Sequence, residues 1–181
     1  QNKYFVIIAG LIYGIGFHTY ISWRLSPLLI LFIFLMLFIK KDYNKKFILK
    51  SVLWFSLAGF VIMAPLAIYY LNNIPDFFGR AGDVSIFKSS SPLKALTESI
   101  IKTLGMFNIY GDANWRHNLS TRPELFWPFG IGFIFGIAYA LRRFTQERNF
   151  FLISWFFVML LPNFLAPEGA PHALRALGAM P

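Results

Sequence analysis

Polar side chains separate two apolar segments at residues 16–27, where the sequence reads GFHTYISWRLSP. His18 and Ser22 are four residues apart, and so are Tyr20 and Arg24. Each pair would share one face if a helix continued through the stretch, because residues four apart are neighbours on a helix surface. The imidazole and the phenol can both bind polar ligands, so His18 and Tyr20 are candidate substrate contacts. A packing role is the alternative for His18.

Arg24 lies just before a predicted helix start. Ser26 followed by Pro27 is typical of such a start, with serine as the cap and proline in the first turn. The N-terminal end of a helix is its positive pole and presents free N–H groups. A guanidinium beside that end would help to bind an anion such as phosphate. The alternative is an interfacial arginine beside an aromatic belt formed by Tyr20 and Trp23.

A second polar stretch, NIYGDANWRHNLSTRPEL, covers residues 108–125. It combines a tryptophan with amides, carboxylates, an imidazole and guanidinium groups. This mixture suits a carbohydrate, because an aromatic face packs on the C–H surface of a sugar while a few polar groups bind its hydroxyls. An ordinary solvated loop with a turn at Gly111-Asp112 is the alternative. The candidate substrate contacts in this stretch are Asp112, Asn114, Arg116 and His117.

The third polar stretch, APEGAPHALRALGAMP, covers residues 166–181. A helix here would place His172 and Arg175 on one face, because they are three residues apart. Glu168, four residues before His172, is a further candidate substrate contact. Glu168 and His172 could together bind a divalent metal, but the spacing fixes no third ligand. The sequence therefore predicts no metal site and no cofactor. A loop leading into another membrane span is the alternative.

The composition indicates a membrane protein. Of the 181 residues, 57% are hydrophobic, 14% are charged and 22 are phenylalanine, whereas a soluble domain is about 45–50% apolar and about 25% charged. The net charge of +9 does not indicate a nucleic-acid partner, because the lysines lie at the ends of apolar segments, as in cytoplasmic loops. No cysteine is present, which excludes disulfide and thiolate chemistry. The motifs of nucleotide binding, zinc proteases and serine hydrolases are also missing.

The elements that must position these polar stretches are five apolar segments. A spanning helix needs about 17–25 residues; three segments have that length, and two reach it with flanking basic and aromatic residues. The predicted fold is an all-α membrane protein with about five transmembrane helices in a single membrane-embedded fragment, residues 1–181. The predicted spans are residues 4–20, 27–39, 51–71, 128–141 and 150–166.

Basic residues determine the predicted orientation. The connections after the second and fourth spans contain five lysines and three arginines, so the positive-inside rule places both in the cytoplasm. The three polar stretches and the long loop of residues 72–127 then face outward. Within that loop, SSSPLKALTESIIKTLG predicts a short amphipathic helix that begins at Ser91-Pro92 and ends at Gly105.

Four stretches in order carry a family resemblance: GFHTYISWRLSPLL, IPDFFGRAGDVSIF, FNIYGDANWRHNLSTRPEL and LPNFLAPEGAPHALRALGAMP. They resemble bacterial members of glycosyltransferase family 39, relatives of dolichyl-phosphate-mannose–protein mannosyltransferases and lipid A aminoarabinose transferases. The resemblance covers nearly the whole chain. It implies a mannosyltransferase-like, inverting GT-C-type enzyme of the bacterial cytoplasmic membrane. Such an enzyme transfers a sugar from a polyprenyl-phosphate carrier lipid to a protein or glycolipid acceptor on the extracytoplasmic face.

The resemblance also implies roles for individual residues. Arg24, His172 and Arg175 would bind the carrier phosphate, since cationic groups stabilise a leaving phosphate. The family's acidic base lies in an early outer loop that has no counterpart here, so we expect it upstream of Gln1. The chain begins without methionine and is accordingly expected to be an internal fragment that is inactive by itself.

Two other functions remain open: a transporter or flippase of a lipid-linked sugar, and a non-catalytic membrane subunit. A transporter usually has polar or broken positions near the middle of its spans. Here Pro65 is the main such interruption, and Asn163 lies near the outer end of its span. The polar residues gather at the outer face instead, which favours the enzyme.

Overall fold

The structure is a computed structural model that describes residues 3–180, including the side chains at all of these positions except Phe78, Arg80 and Ala81. The chain is 72% helix, and the described residues form no strand. The predicted all-α class is therefore confirmed. The two ends of the predicted fragment, residues 1–2 and 181, lie outside the described residues.

The chain forms two compact units, residues 1–78 and residues 79–181. The first unit contains three apolar helices and a 3-10 turn. Its elements are α1 (Lys3–Gly16), the turn Ile21–Leu25, α2 (Ser26–Ile39) and α3 (Lys45–Asn72). Helix α4 (Ile74–Asp83) crosses the boundary and contains a non-helical Gly79, whose φ of +40° favours glycine.

The helix that contains the predicted third span, residues 51–71, begins six residues before that span. Helix α3 begins at Lys45 because the Asn44 side chain accepts hydrogen bonds from the backbone N–H groups of Lys46 and Phe47, at 3.0 and 3.3 Å. Asparagine is a strong N-cap, and lysine is a good helix former. Hydropathy alone therefore missed a helix that starts inside the lysine-rich connection.

The prediction that Ser26 caps α2 is wrong. Leu25 occupies the N-cap position, and the backbone N–H of Ser26 donates to the carbonyl oxygen of Trp23 in the preceding turn. The Ser26 hydroxyl donates instead to the Tyr13 hydroxyl, at 2.9 Å. The 3-10 turn runs directly into α2, so no side-chain cap forms.

Small residues allow α1 and α3 to pack closely. Gly10 and Gly14 of α1 are buried against Ala58 and Gly59 of α3. A Cβ atom added at Gly14 would lie 2.8 Å from the Cβ of Ile62, closer than two carbon atoms can approach. Small residues four apart are typical of packed membrane helices.

The second unit is organised around a buried helix. Its longer helices are α5 (Pro92–Gly105), α6 (Trp127–Arg142) and α7 (Glu147–Phe164), followed by the short α8 (Ala173–Ala176). Two 3-10 turns, Ile86–Lys88 and Leu177–Ala179, complete it. The core side chains of α7 include Val158, Met159 and Leu160, which are at most 3% exposed. The predicted amphipathic helix is confirmed as α5, with Ser91 in the N-cap position.

By length and composition, two helical stretches of the described chain could cross a membrane. They are Ile21–Ile39, of 19 residues, and Lys45–Asn72, of 28 residues, each with a mean hydropathy of 2.1. Helices α1 and α6 are apolar but shorter. Large apolar side chains also face outward from their own unit: Val61 is 66% exposed and Phe135 is 72% exposed. The five-span arrangement therefore stays a prediction.

Candidate functional site

Neighbouring side chains hold Arg24 in place within the first unit. Its Nη2 donates to the Tyr70 hydroxyl at 2.6 Å, and its Nη1 donates to the carbonyl oxygen of Phe77. The Cζ atom lies 4.7 and 4.9 Å from the ring centroids of Tyr70 and Phe77. Both aromatic faces attract the cation. All of these partners are uncharged, so they fix the position of the guanidinium without forming an ion pair with it.

The predicted helical pairs around Arg24 do not form. Helix α1 ends at Gly16, and the Thr19 hydroxyl donates to the carbonyl oxygen of Gly16 at 2.6 Å, a local bond that competes with helix continuation. Tyr20 is extended and about half exposed. His18 Nε2 lies 2.9 Å from the carbonyl oxygen of Ile62. A carbonyl only accepts, so Nε2 carries a proton and donates.

The second polar stretch of the sequence is a closed loop, residues 106–126, in the second unit. The backbone N–H groups of Glu124 and Leu125 donate to the carbonyl oxygens of Met106 and Phe107, at 2.9 and 3.0 Å. Nearer the tip, the Gly111 N–H donates to the carbonyl oxygen of Thr121. A Cβ at Gly111 would overlap the backbone of Arg122. Backbone hydrogen bonds therefore give this loop a defined conformation, unlike the ordinary solvated loop that was the alternative.

Asp112 lies at the centre of this loop and is 4% exposed. Its Oδ1 accepts from the Asn114 N–H at 2.8 Å. Its Oδ2 accepts from His117 Nδ1 at 2.7 Å and from the Ala173 N–H at 3.0 Å. Burial by itself would raise the pKa of Asp112, but these three donors outweigh it and hold the pKa below its usual value. The carboxylate is therefore ionised at neutral pH.

Two histidines from distant parts of the sequence meet beside Asp112. The rings of His117 and His172 are stacked, with centroids 4.3 Å apart and planes inclined by 21°. His117 Nε2 lies 3.3 Å from Asn114 Nδ2, which fits a neutral ring that donates from Nδ1 and accepts at Nε2. Burial lowers the pKa of His172, and the positive charge of Arg175 lowers it further. His172 Nδ1 is buried and has no hydrogen-bond partner.

These three side chains form a group with metal-ligand character. One carboxylate oxygen of Asp112 and one ring nitrogen each of His117 and His172 all lie within 4.8 Å of one another. No other such group of three occurs among residues 3–180. The spacing of the sequence offered His172 no third ligand, and the fold brings two candidates from the loop of residues 106–126.

Glu168 takes a different place from the one predicted. Residues 166–172 are not helical, and His172 is the residue before α8, so the predicted shared helical face of Glu168 and His172 is wrong. The Glu168 side chain is exposed. Its carbonyl oxygen and that of Ala166 both accept from Arg175 Nη1, at 3.1 Å each. Arg175 thus folds the segment back on itself next to His172.

The structure brings together only some of the predicted candidates of the second unit. Asp112, Asn114, His117 and His172 are in direct contact. Arg116 is exposed, with its Cζ 5.6 Å from the ring centroid of Trp115. The candidates His18, Tyr20 and Arg24 belong to the first unit.

Two contributors to the cluster were not predicted from the sequence. The backbone N–H of Ala173 donates to Asp112, and a backbone group leaves no trace in residue type. Asn163, which is fully buried in α7, donates from Nδ2 to the carbonyl oxygen of His172 at 3.2 Å. An asparagine inside an apolar segment was the one available signal, because a buried amide needs partners.

Comparisons with models of known protein families, with curated proteins and with solved structures find no significant match. The described chain is an all-helical protein with two helices that could cross a membrane by length and composition. Its second unit carries a cluster of one buried carboxylate and two half-buried imidazoles. Function has to be argued from these features and from the sequence motifs.

Proposed function

We propose that the chain is part of a membrane glycosyltransferase that transfers a sugar from a polyprenyl-phosphate carrier to a protein or glycolipid acceptor on the extracytoplasmic face. One observation carries this proposal. The second and third polar stretches, about 60 residues apart, meet through the bond from the Ala173 N–H to Asp112 and through the stacked rings of His117 and His172.

The chemistry of the cluster suits a phosphosugar. An ionised carboxylate and neutral imidazoles accept hydrogen bonds from sugar hydroxyls, and a guanidinium next to them attracts a phosphate. Arg175 supplies that cation at the second unit's cluster. The family resemblance assigns carrier-phosphate contacts to Arg24 as well as to His172 and Arg175.

The membrane setting is part of the same proposal. Five spans, with the lysine-rich connection in the bacterial cytoplasm, would place all three polar stretches on the outer face. The support is the close glycine packing of α1 on α3, together with the outward-facing apolar side chains of α3 and α6. Helix α3 also continues unbroken through Pro65, whereas substrate-binding helices of transporters are typically discontinuous.

Carrier binding tests the proposal without requiring catalysis. We would titrate the detergent-solubilised chain with polyprenyl phosphate and compare Arg24→Gln and Arg175→Gln with the unaltered chain. Loss of a charge-assisted phosphate contact should weaken binding by at least about tenfold, because such bonds are worth about 1.5–3 kcal/mol. Arg142→Gln is the matched control, since Arg142 is an exposed arginine in the last turn of α6.

Unchanged affinity in both test variants, or no binding by the unaltered chain, would contradict the proposal. Movement of a lipid-linked sugar across a liposome membrane without transfer by the parent protein would favour the transporter instead.

A further inference from the structure

We propose that Asp112, His117 and His172 bind one divalent transition-metal ion, with zinc as the expected occupant. The inference concerns metal binding alone and does not depend on the transferase activity. It rests on the ligand types, on their mutual distances and on an unpartnered buried nitrogen. Each of these observations comes from the second unit alone.

The ligand types point to a transition metal. Two imidazoles and one carboxylate are a recurrent set for zinc and for non-haem iron, whereas magnesium and calcium prefer oxygen ligands only. The choice of residues within this chain is narrow. It contains three histidines and no cysteine, so a site with two nitrogen ligands needs two of those three. Only His117 and His172 stack on each other, while His18 belongs to the first unit.

Binding requires the His117 and His172 rings to tilt out of their present stack, because an imidazole nitrogen binds a metal in the plane of its ring and these planes are inclined by only 21°. The changes in distance are smaller. Zinc with bonds of about 2.0–2.2 Å in a tetrahedral site holds its ligand atoms about 3.3 Å apart. The three candidate atoms lie within 4.8 Å of one another, and Asp112 Oδ2 is 2.7 Å from His117 Nδ1. With these two atoms as ligands, that pair has to open by about half an ångström, and no pair within the 4.8 Å limit has to close by more than about 1.5 Å.

The ion would take the place of a proton. A proton now joins His117 Nδ1 to Asp112 Oδ2, and its removal from Nδ1 frees the lone pair that a metal uses. With the ion bound at Nδ1, the ring proton moves to Nε2. The Asn114 amide, which now presents Nδ2 to this nitrogen, has to turn its Oδ1 toward the ring and give up the bond from the Arg116 N–H. Metal ligation by histidine usually includes such a polar partner on the second ring nitrogen.

The unpartnered nitrogen of His172 is the independent observation. A buried polar atom almost always has a hydrogen-bond partner, and an exception needs an explanation. Among the described residues, His172 Nδ1 shares this property with Ser22 Oγ, Thr103 Oγ1 and Asn163 Oδ1. Of these four atoms, it is the one that belongs to a ring stacked on a second imidazole next to a carboxylate. Coordination of an ion by this nitrogen removes the exception, whereas a purely structural stack of two rings leaves it in place.

The bound ion would have a defined structural effect. It would join the loop of residues 106–126 to the segment of residues 166–180 in addition to the single bond from the Ala173 N–H. Three protein ligands also leave a fourth position for a water or a ligand oxygen, as in zinc sites that bind substrates.

Zinc titration of the purified full chain tests the inference. After treatment with a chelator, the chain should bind one zinc ion per molecule in competition with a chromogenic indicator. His117→Gln, His172→Gln and Asp112→Asn should each weaken binding by at least about 100-fold, because even the loss of a residue that only hydrogen-bonds to a metal ligand costs about 10- to 100-fold. His18→Gln is the matched control and should bind zinc with unaltered affinity.

A measurement on the unaltered chain covers the case in which a variant does not fold. X-ray absorption by the bound zinc should show two imidazole ligands. The inference is overturned by no binding at equimolar zinc, by fewer than two imidazoles, or by binding that His18→Gln abolishes and His117→Gln leaves intact.

Discussion

Arg24 and Asp112 are both charged groups at conspicuous polar stretches, and the fold treats them differently. Arg24 is held by a phenol, a carbonyl and two aromatic faces, all of them uncharged. Asp112 is nearly fully buried and accepts three hydrogen bonds, one of them from an imidazole. The cation is positioned while its charge stays available to a ligand. The anion instead organises the segments around it.

The two charged groups differ in burial, although both bridge long distances along the sequence. Asp112 joins its own loop to a backbone group 61 residues away, and it orients His117 against His172. Loss of this carboxylate would leave several buried donors without an acceptor, and unmet buried donors are costly. Arg24 also joins distant residues, Tyr70 and Phe77, but its site is only partly buried. We therefore expect larger effects of substitution at Asp112.

Asp112→Asn is predicted to have the largest effect. The amide retains the shape but turns one acceptor into a donor, so at least one of its three partners faces another N–H group. We expect the second unit to lose about 3 kcal/mol of stability. Amide hydrogen exchange at Ala173 should become about 100-fold faster, since each 1.4 kcal/mol corresponds to a factor of ten.

Asp83→Asn is the matched control for that experiment. The carboxylate of Asp83 lies 2.8 Å from Lys88 Nζ, but the side chains of both residues are more than 60% exposed. Exposed ion pairs contribute little to stability, so exchange at Ala173 should not change. An unaltered exchange rate in Asp112→Asn as well would show that the carboxylate does not organise the cluster.

Arg24→Lys is predicted to have an intermediate effect. An ammonium cannot reach the Tyr70 hydroxyl and the Phe77 carbonyl together or stack flat on both rings. We expect a loss of about 1–2 kcal/mol in the first unit, measured as faster amide exchange in the last turns of α3. Lys50→Arg is the control, because it makes the opposite exchange at an exposed position in the first turns of α3. It should leave the stability of the first unit unchanged. A loss of stability larger than that caused by Asp112→Asn would contradict the expectation that substitution at Asp112 has the larger effect.

The sequence predicted helices well because hydropathy and the start and stop signals of proline and glycine act locally. All five apolar segments contain a helix, and the amphipathic helix begins and ends where proline and glycine indicated. The side chains that α5 buries were not predicted. The helical spacing of the apolar residues in α5 suggested a buried face that includes Leu93. In the structure Leu93 is 81% exposed, whereas Ser99 is 1% exposed. Ser99 is buried because its hydroxyl donates to the carbonyl oxygen of Asn163, a tertiary contact that helical periodicity does not encode.

The candidate site could be predicted only as separate pieces. Residue types identified Asp112, His117 and His172, since buried carboxylates and imidazoles are rare in apolar sequences. Their meeting depends on a loop whose ends are joined by backbone hydrogen bonds from Glu124 and Leu125. Backbone hydrogen bonds of this kind do not depend on residue type, so the spacing along the chain could not identify the third candidate ligand.

His172→Phe is predicted to have the smallest effect in the absence of metal, and His117→Phe provides its comparison. Phenylalanine keeps a flat ring against His117 and removes the nitrogen that has no partner, so the stability of the metal-free second unit should change by less than about 1 kcal/mol. His117→Phe removes the donor to Asp112 Oδ2 and should cost about 2 kcal/mol.

Thermal unfolding with and without zinc then distinguishes the two roles of His172. Zinc should raise the unfolding temperature of the unaltered chain but not of His172→Phe, because an ion stabilises only the state that binds it. A large loss of stability in metal-free His172→Phe would mean that the buried nitrogen already has a structural partner. The description of the cluster that Asp112 organises would then have to be revised for His172.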